Sequence, residues 1–146
     1  MEDRERRACR SIEGFGRDGW EDTVRELTSP EVIYEEIGTG RRLEGIEPVL
    51  DGMRVWKAAF PDITGEVLRL VSGGDSTALE ILWRGTHTGP LATPLAGAIP
   101  PTGREVTTHA TMWQRWEGER IVHERHHLDV LALMAQLGVL PIGASA

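Results

Sequence analysis

The sequence of 146 residues has one cysteine, no asparagine and no long apolar run. A lone Cys9 closes no disulfide within the chain and suits a reducing compartment. Without asparagine there is no acceptor for N-glycosylation. No stretch reaches the ~18 apolar residues that a membrane span requires, because Gln136, Gly138 and Pro141 interrupt the C-terminal segment. The opening MEDRERRACR lacks the apolar centre of a secretion signal, so a cytoplasmic setting is the expectation. Positive charge is also short, with 16 Lys and Arg against 23 Asp and Glu and a net charge of −7. That argues against nucleic acid, which needs a cationic footprint to displace counterions. The N-terminal Arg4, Arg6, Arg7 and Arg10 are interleaved with Glu2, Asp3 and Glu5, which reads as a solvated helix.

What is present fits one domain over residues 1–146, a length that buries roughly 68–70% of the unfolded surface and leaves room for an internal pocket. Helical patterns run from residue 2 to about 13 and from Trp20 to Leu27, and Val32-Ile33-Tyr34 is a brief β-prone run. Ile46, Val49, Leu50, Met53, Trp56 and Phe60 fall three and four apart, one face of an amphipathic helix that Pro61 ends. The period then changes. Ile63 to Val71 and Thr77 to His87 form a hairpin around Ser72-Gly73-Gly74-Asp75, and Arg104 to Trp116 turns through Glu117-Gly118-Glu119 into a last strand. Thr88 to Gly103 has four prolines, no periodicity and the apolar Leu91, Leu95 and Ile99. It is expected to fold over a pocket mouth or into a subunit contact, an ordered surface loop being the alternative. The order of elements predicts an α+β domain in which a curved, mostly antiparallel sheet wraps around helices.

The stretch Glu119 to Gly138 concentrates the chemistry. A strand carrying His123, Arg125, His126 and His127 meets Asp129, and an apolar helix, Val130 to Leu137, follows and stops at Gly138 and Pro141. Titratable groups beside so apolar a segment suggest a polar site in a hydrophobic wall. A three-residue turn at Glu117 to Glu119 would set His109 opposite His127, Thr111 opposite Arg125 and Trp113 opposite His123, at ~4.5–5.5 Å between Cβ atoms. A two-residue turn would set His126 opposite His109 instead, because a slip of one residue exchanges the faces. A metal is not expected, since His123 and His127 on a strand stand ~13 Å apart. Asp129 has two readings, an N-cap for the apolar helix and a base in an apolar pocket, and the two roles are compatible.

Phe60-Pro61-Asp62, the strand end Trp83-Arg84-Gly85-Thr86-His87-Thr88-Gly89, Pro100-Pro101-Thr102-Gly103-Arg104, and Asp129 followed by Leu133 and Gln136-Leu137-Gly138 occur in that order. Together, over roughly residues 11 to 138, they resemble the SnoaL-like polyketide cyclase family. The resemblance implies the cone-shaped α+β barrel of the nuclear transport factor 2-like superfamily. It also implies a cofactor-independent intramolecular aldol condensation in aromatic polyketide biosynthesis, with Asp129 at the family's acid/base position. The family places a histidine near that aspartate, and hairpin geometry makes His109 and His127 the candidates, with His126 open. Tyr34, Trp56, Trp83, Trp113 and Arg125 are the candidates for holding a hydrophobic polycyclic or polyketide-like substrate, Arg125 or a protonated histidine also serving the developing alkoxide. Epoxide hydrolysis, dehydration or isomerisation in the same pocket, and a non-catalytic ligand-binding dimerisation module, are the competing readings. A homodimer or homotetramer is expected from the exposed face of a curved sheet.

Overall fold

A computed structural model describes residues 2–94 and 97–140. Leu95 and Pro141 lie outside the described residues. Three helices come early: α1 (Asp3–Glu13), α2 (Trp20–Leu27) and α3 (Ile46–Ala59). Between and after them lie β1 (Thr28–Ile37), β2 (Arg41–Glu44), β3 (Thr64–Gly73), β4 (Ser76–Thr86), β5 (Leu91–Thr93), β6 (Gly97–Ile99), β7 (Glu105–Glu117) and β8 (Arg120–Leu128). The last helix is α4 (Val130–Leu137), stopped by Gly138 in the left-handed conformation.

Six strands form one sheet in the order β2-β1-β8-β7-β4-β3, all antiparallel except the β1–β8 pair. The fold is the expected α+β one, but the curved sheet stays open, with β2 and β3 as edges. The first strand is longer than the run Val32 to Tyr34 suggests. Thr28 begins it directly after α2, and its pairing to β8 carries it through to Ile37. Residues 88–94 and 97–103 are not structureless, for β5 and β6 pair antiparallel. Leu91 and Ile99 are buried in a core cluster with Phe60, Val106 and Leu133, which anchors the segment against α3, β7 and α4. A second cluster, with Ile12, Val32, Ile81 and Trp116, joins α1 to the inner face of the sheet.

The β7–β8 hairpin has a different register from the one expected. Gly118, at φ +58, allows a two-residue turn closed by Glu117 and Arg120. Val122 is then an extra residue on β8, between the pairs Trp116↔Ile121 and Arg115↔His123. Beyond this bulge Thr111 faces His127, Met112 faces His126 and Trp113 faces Arg125. His109 and His127 therefore do not oppose one another. They do share a face, along with Trp113 and Arg125, but it is the outer face, where all four are exposed. The inner face of β7 is the alternation Val106, Thr108, Ala110, Met112, Gln114 and Trp116, every one buried.

Candidate active site

Inside the sheet, α1, α3, β4, β7, β8 and α4 enclose a cavity with about 910 Å³ of empty space, its open mouth included. Its wall is mostly apolar and aromatic: Phe15, Met53, Trp56, Phe60, Trp83 and Met112, with Val106 and Leu133 near the far end of β7. A pocket of this kind, with a few convergent polar groups, is the usual form of a small-molecule site. The polar side chains lining it are Ser11, Tyr34, Thr108, Glu124, His126 and Asp129, while Arg84 only borders it, opposite the outward Thr107 and with its Nη1 at 3.3 Å from Glu66 Oε2.

The inward positions of β8 order these groups by depth. Glu124, His126 and Leu128 alternate along the strand, and Asp129 follows at the start of α4. Asp129 Oδ1 accepts the Ala132 N–H at 3.0 Å, so the capping role is in place. Asp129 is exposed while lining the cavity, so it stands at the mouth and not in a dry hollow. No donor reaches its Oδ2 among the described residues.

His126 is the one histidine lining the cavity among the described residues, and it is 7% exposed. Trp83 Nε1–H donates to its Nε2 at 3.2 Å. An indole N–H can only donate, so Nε2 is an acceptor and the ring proton sits on Nδ1. That proton faces the Tyr34 hydroxyl at 2.9 Å, and Tyr34 donates in turn to Glu36 Oε2 at 2.8 Å. Glu36 is 1% exposed and also accepts from Trp56 Nε1 (3.0 Å) and Thr39 Oγ1 (2.7 Å), with Arg41 at 4.0 Å. Burial holds the His126 ring neutral, pulling its pKa from 6.5 to about 4. Burial, with Glu36 beside it, likewise pushes the Tyr34 hydroxyl well up. Gly65 makes the arrangement possible, since a Cβ there would meet the Trp83 ring at 2.6 Å.

Glu124, half-buried, is the next titratable group lining the cavity. Gln114 Nε2 donates to its Oε2 at 2.9 Å, and no cation pairs with it among the described residues. Burial raises the carboxyl above its ordinary value, against the opposing Gln114 hydrogen bond.

Of the candidates drawn from the sequence, the cavity brings together Asp129, Tyr34, Trp56, Trp83 and the open alternative His126. His109, His127, Trp113 and Arg125 lie outside it. On the outer face Arg125 Nε and His123 Nε2 each meet Glu35 Oε2 at 3.0 Å, which removes Arg125 as a group for a developing alkoxide in the cavity. Sequence reasoning missed Glu36 and Glu124. The apolar alternation Val106, Ala110, Met112, Trp116 was the available signal, because it assigns His109 to the solvent side. No group of His, Cys, Asp and Glu arranged for a metal occurs among the described residues.

Comparisons with other proteins agree with this geometry. The family model for SnoaL-like polyketide cyclases matches residues 6–137. A candidate SnoaL-like polyketide cyclase from Jannaschia sp. CCS1 superimposes with a TM-score of 0.83 at 23% identity, over 94% of this chain and 93% of the other. IdmH, a candidate polyketide cyclase from Streptomyces antibioticus, does so with a TM-score of 0.78 at 29% identity, over 94% and 100%. AclR, a candidate hydroxylase from Streptomyces galilaeus, gives 0.77 at 22% identity, over 94% and 97%. No curated protein matches the sequence.

Proposed function

Starting from a chain that belongs to the SnoaL-like polyketide cyclase family, we propose that it closes a ring by intramolecular aldol condensation without a cofactor, using Asp129 as acid and base. The observation that carries this reading is a carboxylate at the mouth of an aromatic-walled cavity, with one oxygen fixed as a helix cap and the other unclaimed. A methylene between two carbonyls is acidic enough for a positioned carboxylate to deprotonate. The enolate then attacks a second carbonyl of the same molecule, held near by the Trp56, Phe60 and Trp83 walls. That attack turns the second carbonyl oxygen into an alkoxide. The alkoxide finally takes a proton, for which the protonated Asp129 is the donor. The substrate is a hydrophobic polyketide-like molecule. An assembly of two or four copies, in a cytoplasmic setting, belongs to the same proposal, with Val71 and Trp113 exposed on the outer face.

Asp129→Asn is the test. Asn caps a helix about as well as Asp, so the variant should unfold at the wild-type denaturant concentration. Ring closure of a synthetic polyketone should fall by roughly 10²–10⁴-fold, the usual worth of acid–base help. Undiminished turnover would remove Asp129 from the chemistry. Solvent oxygen-18 in the product would replace ring closure by hydrolysis.

A further inference from the structure

The deep end of the cavity holds a polar device that the reaction at the mouth does not use. Gln114, 1% exposed, is held in a single orientation. Trp116 Nε1–H donates to Thr77 Oγ1 at 2.9 Å, which leaves the Thr77 O–H to donate to Gln114 Oε1 at 3.0 Å. The amide NH2 is thereby turned the other way, towards Ser11 Oγ at 2.8 Å and Glu124 Oε2 at 2.9 Å. Glu124 Oε1 receives no donor among the described residues and belongs to a side chain that lines the cavity.

The groups around Glu124 are Ser11 from α1, Tyr34 from β1, Gln114 from β7 and His126 on its own strand. The α3 helix adds apolar Val49 and Met53 to the same space. None of these carries a positive charge, because His126 is held neutral. An ionised carboxylate without a cation is costly in such surroundings, whereas a protonated one is satisfied by a carbonyl acceptor on one oxygen and a donor bond from the other.

We propose that Glu124 is the polar anchor of the cavity floor: as a carboxylic acid it donates from Oε1 to a carbonyl oxygen at the buried end of a neutral aromatic ketone, and it turns carboxylates away. This deepens the cyclase reading and rests on it for the substrate class. It does not give Glu124 a share in bond making. Asp129 is five residues further along, roughly 16 Å between Cα atoms at ~3.3 Å per residue, so the two carboxyls address opposite ends of an elongated ligand. The fixed Gln114 amide sets where the donor points, and a specificity residue results.

Fluorenone and fluorene, which differ by the carbonyl oxygen, test the anchor by quenching of tryptophan fluorescence. Wild-type protein should bind fluorenone roughly tenfold more tightly than fluorene, the worth of one buried hydrogen bond. Glu124→Leu should bind both alike. Glu124→Gln, whose amide still accepts from Gln114 and donates into the cavity, should keep the preference and guards against a folding defect. Infrared difference spectra of wild type against Glu124→Gln at neutral pH should show the C=O stretch of a protonated acid. An undiminished preference in Glu124→Leu overturns the proposal, and so does a spectrum in which the lost band is that of a carboxylate. The ratio is read without turnover. Undiminished turnover in Asp129→Asn therefore leaves the anchor standing, and loss of the ratio leaves the Asp129 result standing.

Discussion

The two faces of β8 each present a histidine and have a glutamate beside it, but in different surroundings. Inward, His126 is neutral between Trp83 and Tyr34, and burial keeps the Glu124 carboxyl raised. Outward, His123 and Arg125 share Glu35 on the neighbouring strand, and those two hydrogen bonds hold the Glu35 carboxyl below its ordinary value. A shift of one residue along the strand is enough to exchange a solvent-facing cluster around Glu35 for groups that line a cavity and are joined by single hydrogen bonds. Side-chain identity therefore says little here about chemistry, and the face says most.

The comparison breaks most visibly at Glu36. It accepts from Tyr34, Trp56 and Thr39 and lies near Arg41, all within the inner layer. Glu36→Ala strips the partner from three donors and leaves a guanidinium behind, an expected loss of about 3–5 kcal/mol in denaturant unfolding. The same change should free the Tyr34 hydroxyl and so loosen His126, visible as altered tryptophan fluorescence from Trp83.

Next in size is the response to acid. His126 has a folded pKa of about 4 against an ordinary 6.5, so between those values the unfolded chain binds a proton that the folded chain refuses. Its contribution is complete above pH 6.5 and is lost as pH falls towards 4, up to about 3 kcal/mol at 1.36 kcal/mol per unit. Glu124 runs the other way. Its raised carboxyl means that stability is greatest below the ordinary carboxylate range and declines as pH rises above it. Unfolding free energies measured across pH in wild type, His126→Leu and Glu124→Gln should separate the two: the acid loss should vanish in the first variant and persist in the second.

Gly65→Ala comes after these. Its Cβ would meet the Trp83 ring at 2.6 Å and Ile12 Cγ2 at 3.0 Å, pushing the indole from His126. Overpacking of this kind costs typically 1–3 kcal/mol. A smaller loss, with ligand quenching unchanged, would show that Trp83 is not held by the contact.

Much of the fold was readable from the sequence, because the helix Ile46 to Ala59 has a clean three-and-four spacing and both long hairpins end on glycine turns. The mouth residue Asp129 was readable too, sitting between a polar strand and an apolar helix. The cavity interior was less so. Its faces depend on one bulged residue, Val122, which no local pattern marks, and on Glu36, which a β-run of three residues does not reach. Histidines attract attention wherever they fall. The period-two apolar pattern of β7 was the better guide, since it needs no register.

The smallest expected effect belongs to the outer face, and it is the sharpest test of the contrast. His123 shares Glu35 with Arg125, and its side chain keeps 30% of its surface in solvent. Solvent screens such a pair, and surface substitutions of this kind stay within about ±0.5 kcal/mol. His123→Ala should accordingly leave the unfolding midpoint and the fluorenone preference unchanged, while His126→Leu on the other face shifts both. Equal losses from the two histidines would mean that burial is not what separates them, and the division between a shielded inner face and a solvated outer face would have to be abandoned.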